Sequence, residues 1–530
     1  MMRLSRYILV LMLFAALSCN KEEKSRLEQL QQELSALEQK DSPEVSEAVQ
    51  PASSGDTEYA FVLDKERYGV DAGSSVTIHY TLPTASSVEV MVKEGWSATV
   101  NATSATGGDI VVSAPDPASP VELVATATSE GGLATAMTLP LMVRDPYSTA
   151  TRPRMEAIGY YCFKPWNATL ENYQKLADAG LTMVTLETDE GDWQSYIDLA
   201  AQAGLKTLAI VLNHAGYWYD NMEYTGLDEL INYLKDCPDV YGYHMCDEPS
   251  VDDIWRLMAI KDKIRQLDDT RPIYINLLAN ASPARLGVST YPEYVNIMAD
   301  YLDFDFISFD IYPVLVGAIQ PGWHMCLETV SDAAKRRGIP FWAFAASCWI
   351  NKESTTLKRE KPNAYNIQLQ IYTDLAYGAQ AVQYFTIQDY GGTDYAPIMR
   401  DGTWTQAYEE LKKANLTMQK RAFVFKDCNV TKVRQLGMSA SHEDVLSILD
   451  LPQEIKSIDV TFSATVSFIE NNGNEYMVIV NNYWSADEVV KVELDSPVYY
   501  IDSEGQFNLL ESGINNVLLS KGEMVVLKYK

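Results

Sequence analysis

Residues 180–213 read GLTMVTLETDEGDWQSYIDLAAQAGLKTLAIVLN and contain one complete strand–helix–strand unit. An apolar β run over Leu181–Thr188 precedes a segment with helical periodicity over Asp192–Ala203, and a second β run covers Leu205–Asn213. Gly180 and Gly204 stand directly before the two β runs, where glycine is the usual helix C-cap. The stretch therefore predicts repeated β/α units.

The same alternation continues on both sides of this stretch, between residues 157 and 421. Eight such units match the size and pattern of a (β/α)8 TIM barrel, and we place that domain at residues 153–423. A doubly wound sheet is the alternative, but no glycine-rich phosphate-binding turn follows the first β run. The predicted strands are Ala157–Phe163, Leu181–Thr188, Leu205–Asn213, Val240–Glu248, Pro272–Leu278, Phe304–Pro313, Ile339–Trp349 and Ala379–Gln388.

Short β runs separated by turn clusters flank the barrel on both sides. Residues 57–146 include runs such as Val76–Tyr80 and Val121–Ala125, and they predict an Ig-like β-sandwich. Residues 424–530 predict a C-terminal β-sandwich, with the hairpin signal Asn471-Asn472-Gly473 inside it. The expected fold class is therefore multidomain, with a central barrel between two β domains.

The first residues have the pattern of a targeting segment. Arg3 and Arg6 precede the apolar run Ile8–Leu17, which is too short to span a bilayer but suits a signal peptide. The run ends in Ala-Leu-Ser before Cys19 and resembles a bacterial lipoprotein signal. That resemblance implies removal of residues 1–18, lipidation of Cys19 and a lipid-anchored protein. Asn20 and the charged Lys21-Glu22-Glu23 resemble the export signals of surface lipoproteins in Bacteroidetes-type bacteria, which implies exposure at the surface of the outer membrane. An ordinary signal peptide is the alternative.

Residues 19–56 are interpreted as a stalk and linker. Leu27, Leu30, Leu34 and Leu37 share one seam of a predicted helix, which could form a homo-oligomer through residues 21–40 or remain a solvated stalk.

The charge balance limits the classes of partner. Forty-two Lys and Arg face 72 Asp and Glu, so the net charge is −30 and nucleic acid is a poor partner. The seven cysteines show no zinc-like spacing, so free thiols are expected, with no metal and no cofactor.

The most informative motif ends the fourth predicted strand and reads YGYHMCDEP over residues 241–249. Barrel enzymes place their chemistry at the C-terminal ends of strands, where Asp247 and Glu248 adjoin. Two neighbouring carboxylates disfavour double ionisation, so one pKa should rise, as a general acid requires. Because strand residues alternate in direction, Glu248 is the predicted acid and Asp247 supports it or binds a sugar hydroxyl. His244, inside the strand, is interpreted as structural.

The motif resembles glycoside hydrolases of clan A, which carry Asn-Glu-Pro at this place. Asp247-Glu248-Pro249 matches it with Asp in place of Asn, and Tyr377–Phe385 resembles distant relatives of the family 42 β-galactosidases. The resemblance implies that Glu248 is the acid/base. It also implies a nucleophilic Glu after the seventh strand, but residues 341–349, FWAFAASCW, contain no carboxylate, and Glu353 beyond them is a weak candidate.

Other acids at strand ends could partner Glu248. Asp310 ends the sixth predicted strand and is the preferred candidate, while Glu187 and Asp389 end the second and eighth. A carboxylate separation of about 5–5.5 Å indicates retention and about 6.5–9.5 Å inversion. A substrate-assisted reaction, in which a 2-acetamido group attacks, needs one acid and an orienting acid. All three mechanisms stay open.

The remaining candidates are expected to bind sugar, because aromatic rings pack on the C–H faces of sugars while polar groups bind their hydroxyls. The predicted substrate-binding residues are Glu187, His214, Trp218, Tyr312, Trp349, Gln388 and Asp389. The leading hypothesis is a surface-anchored glycoside hydrolase acting on a neutral glycan. The alternatives are a non-catalytic glycan-binding lipoprotein on a degenerate barrel, and a structural or adhesive surface protein.

Overall fold

Eight parallel strands close into a barrel in chain order, because the eighth strand pairs with the first through Ala381 and Glu156. Each of the eight predicted β runs contains or overlaps one of these strands, so the prediction of a barrel is confirmed. From first to eighth the strands are Glu156–Gly159, Met183–Glu187, Lys206–Ile210, Val240–Asp247, Ile273–Leu277, Ile307–Phe309, Phe341–Ala346 and Ala381–Phe385.

The computed structural model describes residues 61–65, 67–84, 86–187, 192–211, 226–350, 358–389, 391, 395–437 and 445–530. All of them belong to the unit Tyr59–Lys530. The predicted signal peptide, Cys19 and the stalk lie outside the described residues, as do His214, Trp218 and Glu353.

Helices connect the strands and begin and end where the sequence supplies caps. Thr169 and Asp192 cap the first two helices by accepting backbone N–H groups, from Asn172 and Ser195. Gly338 ends the helix before the seventh strand at φ +67°, a conformation that favours glycine. The described α-helices are Leu170–Asp178, Trp193–Gln202, Leu227–Leu234, Ile254–Leu267, Pro283–Leu286, Tyr291–Leu302, Trp323–Arg337, Ala364–Ala376, Gln406–Lys420 and Ala422–Phe425.

The barrel interior is filled by side chains in layers. One layer includes Phe306 and Trp342, whose stacked rings lie 3.7 Å apart between centroids. A second, smaller layer of Tyr160, Ile210 and Phe344 lies next to partly buried rings at the barrel mouth. Trp342 and Phe344 are buried, as expected for core residues. The barrel is therefore a packed core with its free surface at the strand ends.

Two four-stranded sheets precede the barrel and share a core that contains Ile78, Ile110 and Leu139. Their Ig-like identity remains a prediction. Four of the longer strands match predicted runs, over residues 76–80, 88–92, 109–112 and 121–125, but Ser97–Ser104 and Ala134–Val143 were not predicted because they are rich in Ser, Thr and Ala. The strands are Val62–Leu63, Tyr68–Val70, Ser75–Thr81, Ser86–Met91, Ser97–Ser104, Gly107–Ser113, Val121–Ser129 and Ala134–Val143.

A six-stranded and a three-stranded sheet follow the barrel. The predicted hairpin is confirmed: Asn472 and Gly473 have φ +49° and +74° and join two antiparallel strands. The strands are Asn429–Gly437, Ile455–Asp459, Ser463–Asn471, Asn474–Asn481, Glu488–Leu494, Val498–Ile501, Phe507–Leu510, Gly513–Leu519 and Met524–Lys528. The small hairpin Val314–Leu315 and Ala318–Ile319 extends from the barrel itself.

Three further properties of the described residues concern cysteine pairing, membrane-spanning helices and metal binding. The six described cysteines are free, and only Cys428 is not buried. None of the described helices combines the length and apolarity needed to cross a membrane. Within the same ranges, no cluster of three or more His, Cys, Asp or Glu side chains could hold a metal ion.

Candidate active site

The fourth strand delivers two carboxyl groups to the C-terminal mouth of the barrel. Asp247 is its last residue, and its pairing with the fifth strand is irregular between His244 and Cys246. Glu248 follows with φ +47°, a left-handed conformation that is uncommon for a residue with a side chain. In a regular strand the two side chains would point apart. Here both carboxylates lie close enough to Asp310 to raise its pKa.

Two backbone contacts hold Glu248 in this conformation. Its N–H donates to the Asn276 carbonyl oxygen at 2.8 Å, and Arg285 Nη2 donates to the Glu248 carbonyl oxygen at 2.7 Å. Arg285 Nη2 also lies 3.5 Å from Glu248 Oε2, but the Glu248 side chain remains 39% exposed. Glu248 is therefore anchored through its backbone while its carboxyl group stays open to a ligand.

Asp310 follows the sixth strand and meets Glu248 across the mouth. Its carboxyl group lies close enough to Glu248 and Asp247 for their negative charges to raise its pKa. Asp310 Oδ1 is buried and has no hydrogen-bond partner. The three acids predicted as catalytic, Asp247, Glu248 and Asp310, are thus brought together in one cluster. We call them the acid cluster.

Two members of the acid cluster, Asp247 and Asp310, hold protons more tightly than ordinary carboxyl groups. Crowding by protein atoms, with a further contribution from Glu248, raises the pKa of Asp247 to about 6. The Asp247 residue is nevertheless exposed to solvent. Burial first, then the charges of Glu248 and Asp247, raise the pKa of Asp310 well above its usual range. The protonated form of Asp310 is therefore favoured.

A buried polar chain positions Asp247 from below. Asn276 Nδ2 donates to Asp247 Oδ1 at 3.1 Å, and Ser308 Oγ donates to Asn276 Oδ1 at 3.0 Å. Gln383 Nε2 then donates to Ser308 Oγ at 2.8 Å, so the chain crosses from the fifth strand to the eighth. Asn276, Ser308 and Gln383 were not predicted as site residues. The feature of the sequence that could have indicated them is a polar residue inside each of three apolar β runs.

Aromatic rings surround the acid cluster. Tyr161, Tyr312 and Phe385 are partly exposed, and we call them the aromatic platform. The Phe385 centroid lies 5.9 Å from that of Tyr161 and 5.4 Å from that of Tyr312. Phe385 was not predicted as a binding residue, because its run read as a buried strand.

The other predicted binding residues also make contacts that hold loops in place. Gln388 Oε1 accepts from the Lys164 backbone N–H at 3.2 Å, and Asp389 Oδ1 accepts from the Gly391 N–H at 2.8 Å. Glu187 forms an ion pair with Lys164, and the Trp349 indole donates to the Arg359 carbonyl at 3.0 Å. Their roles in sugar binding stay predictions.

His244 is buried below the mouth. Burial lowers its pKa to about 3, so the ring is neutral at neutral pH, and its Nδ1 lies 3.5 Å from the Tyr160 hydroxyl. This environment fits the structural role predicted for it.

The seventh strand contributes small side chains where clan A enzymes have a nucleophile. Ala346 ends this strand and is partly exposed, and its backbone N–H donates to Gln370 Oε1 at 3.0 Å. Ser347 is buried and donates to the Thr386 carbonyl oxygen at 2.9 Å. A carboxylate that acts as nucleophile is not supplied by residues 341–350.

No protein-family model matches the chain, and no curated protein matches it. Several solved structures are similar in fold. A family 39 glycoside hydrolase from the gut symbiont Bacteroides cellulosilyticus WH2 is 10% identical, with a TM-score of 0.45, over 89% of this chain and 100% of that chain. A β-galactosidase from Marinomonas ef1 is 10% identical, with a TM-score of 0.39, over 51% of this chain and 60% of that chain.

A Bacteroides ovatus GH5 xyloglucanase, solved with a XXXG heptasaccharide, is also 10% identical, with a TM-score of 0.31, over 67% of this chain and 100% of that chain. At these identities the similarity concerns the fold alone, and function has to be inferred from the barrel mouth.

Proposed function

We propose that this protein is a glycoside hydrolase that acts on a neutral poly- or oligosaccharide, with Glu248 as the proton donor. The observation that carries the proposal is the acid cluster itself: three carboxyl groups converge at the C-terminal mouth of a closed parallel barrel. Clustered like charges cost stability, and such clusters are typical of sites that tune carboxyl pKa values for catalysis.

Glu248 and Asp310 act as a pair that holds one proton. The raised pKa of Asp310 favours its protonated form, and the charge of the nearby Glu248 contributes to that shift. Glu248 is open to the mouth, so it passes the proton to the leaving glycosidic oxygen. Asp310 supplies this proton to Glu248, and the water that completes hydrolysis returns a proton to the pair.

Asp310 is a poor nucleophile, because its raised pKa favours the protonated carboxyl group over the carboxylate that would attack. Two sources remain. Asp247 could attack directly, or the 2-acetamido group of the substrate could attack while Asp247 orients it. Asp247 suits the second role because one of its oxygens is already fixed by Asn276.

The aromatic platform explains the preference for a neutral sugar. Its exposed ring faces offer packing surface for C–H groups, whereas the acid cluster would repel a uronic acid or a sulfated sugar. His214 and Trp218, which follow the third strand in the sequence, are also proposed to bind the sugar.

We also propose that Cys19 carries a lipid that anchors the protein at the outer surface of the outer membrane, with residues 21–40 as an oligomerising stalk. The lipoprotein-like pattern of residues 1–19 supports this proposal. Metabolic labelling with an alkyne fatty acid tests it: the wild-type protein should be labelled, and Cys19→Ser should abolish the label.

The second candidate is a glycan-binding protein without activity. It is favoured by one observation, the small side chains Ala346 and Ser347 at the end of the seventh strand. It predicts glycan affinity with no turnover by any variant.

Glu248→Gln separates the two candidates. Wild type and variant are incubated with a panel of neutral oligosaccharides, and new reducing ends and ligand affinity are both measured. A hydrolase loses turnover in the variant but keeps affinity, whereas a binding protein shows affinity and no turnover in either form. Glu229→Gln, at an exposed site of the helix Leu227–Leu234, is the matched control and should leave turnover unchanged.

A further inference from the structure

A cavity lies between the segment that follows the sixth barrel strand and the C-terminal sheets. Its volume is about 530 Å³, within the range of sites that take small ligands. One wall is formed by residues 317–325, from the small hairpin to the start of the helix Trp323–Arg337. The other wall is formed by Gln435 and residues 482–485. We call this cavity the lateral groove.

None of the described residues that line the lateral groove is Asp, Glu, Lys or Arg, and His324 is the one histidine among them. This composition is unusual for a chain in which 22% of residues are charged and the net charge is −30. An ionic ligand would find no counter-charge there, because desolvating an ion without a partner is costly. The groove therefore suits a neutral ligand.

Amide side chains provide its hydrogen-bonding groups. Gln435 and Asn482 are fixed to each other, with Asn482 Nδ2 3.3 Å from Gln435 Oε1, and Thr465 Oγ1 lies within hydrogen-bonding distance of both. On the opposite wall, Gln320 Oε1 is buried without a hydrogen-bond partner. A buried acceptor of this kind gains free energy when a ligand hydroxyl donates to it.

Two aromatic residues complete the wall. Tyr483 and Trp484 are partly exposed and line the groove. The Tyr483 ring lies 5.5 Å from the Phe462 ring between centroids, and Trp484 packs against the main core. Rings held in this way lose little conformational freedom when they pack on the C–H face of a sugar.

We propose that the lateral groove is a second binding site for a neutral glycan chain, separate from the acid cluster and the aromatic platform. Aromatic rings and amides without charge are the combination that binds sugar hydroxyls and sugar faces together. None of the acid-cluster residues lines the groove. The site therefore retains the polymer whether or not the barrel mouth cleaves it, and it does not depend on the proposed hydrolase activity.

The experiment uses the full chain carrying Glu248→Gln, so that a substrate cannot be consumed. Affinities for soluble neutral polysaccharides (xyloglucan, galactomannan and mixed-linkage glucan) and for polygalacturonate are measured by affinity electrophoresis and calorimetry. Gln320→Ala and Trp484→Ala are then compared with this background. Trp255→Ala, at a 69% exposed tryptophan outside the groove, is the matched control.

We expect binding of at least one neutral polysaccharide, with an affinity about tenfold weaker in Trp484→Ala and Gln320→Ala, and unchanged in Trp255→Ala. Because Trp484 also contacts the core, Ser485→Trp provides a second test: a new ring at this exposed position should fill the groove and weaken binding.

Three results would overturn the proposal: no neutral polymer bound, tighter binding of polygalacturonate, or full affinity in both Gln320→Ala and Ser485→Trp. If the groove variants weaken binding but no glycan is ever cleaved by the wild type, the lateral groove is supported and the hydrolase proposal fails.

Discussion

Asp310 and Glu248 lie close enough at the barrel mouth for the charge of Glu248 to raise the pKa of Asp310, although 62 positions separate them along the chain. The first follows the sixth barrel strand and the second follows the fourth. Burial and the charges of Glu248 and Asp247 together favour the protonated form of Asp310.

Asp310→Asn should slow turnover by about 10²- to 10³-fold, because the pair loses its proton reservoir. The raised pKa of Asp310 also sets the pH above which wild-type activity declines, since the pair must be protonated to donate. The variant should therefore lose activity at a lower pH than the wild type. The measurement is kcat/KM against pH; an unchanged alkaline limb would contradict the pairing.

Asp247→Asn should stabilise the protein at pH 8 but not at pH 4. The folded-state pKa of Asp247, about 6, exceeds the usual value of 3.8, so the folded state binds the proton more tightly. The stability from this group is fully present below about pH 3.8 and is lost as the pH rises through about 6.

The new side chain in Asp247→Asn stays neutral and can still accept the hydrogen bond from Asn276. The variant therefore does not lose folding stability as the pH rises. Because Asp247 is exposed, the gain should be under about 1 kcal/mol. Thermal unfolding at the two pH values provides the test, with Asp269→Asn, at an exposed site, as the control. If Asp247→Asn changes the melting temperature relative to wild type by the same amount at pH 4 and at pH 8, the pKa of Asp247 is not raised in the folded protein.

Ser308→Ala should lower both stability and activity. It leaves Asn276 Oδ1 and Gln383 Nε2 without their shared partner, which costs about 1–3 kcal/mol of unfolding free energy. It should also lower kcat, because Asp247 loses its positioned neighbour. Ser331→Ala is the matched control, since Ser331 is equally buried and donates to the Tyr377 carbonyl outside the barrel. Equal activity losses in both variants would indicate only a structural role.

Phe385→Ala should raise KM by about tenfold with a smaller change in kcat, because the platform binds the sugar face in ground state and transition state alike. Initial-rate kinetics on oligosaccharides of increasing length would measure this. A change confined to kcat would place Phe385 among the groups that act only in the transition state.

A substrate-assisted reaction predicts a specific dependence on the sugar. Aryl glycosides with a 2-acetamido group should be cleaved at least about tenfold faster than their 2-hydroxy counterparts, and fluorination of the acetamide should slow cleavage. Asp247→Asn should then reduce kcat strongly. Equal rates on the two sugar types would instead assign the attack to an enzyme carboxylate, with Asp247 as the first candidate.

The sequence alone determined the elements whose signals are local. Alternating β and helical segments, with glycines such as Gly180 and Gly204 between them, were sufficient for the barrel, because a side-chain period and a C-cap depend on near neighbours in the chain. The motif Asp247-Glu248-Pro249 at a strand end was local in the same way.

Only the tertiary structure decided which groups meet. Barrel closure places Asp310 beside Glu248 and links Asn276, Ser308 and Gln383 into one chain, and no sequence spacing encodes contacts between separate strands. The irregular pairing near Cys246 and the left-handed backbone of Glu248 decide where the acids point, which strand alternation could not predict. The groove between Gln320 and Trp484 likewise exists only because the C-terminal sheets pack beside the barrel.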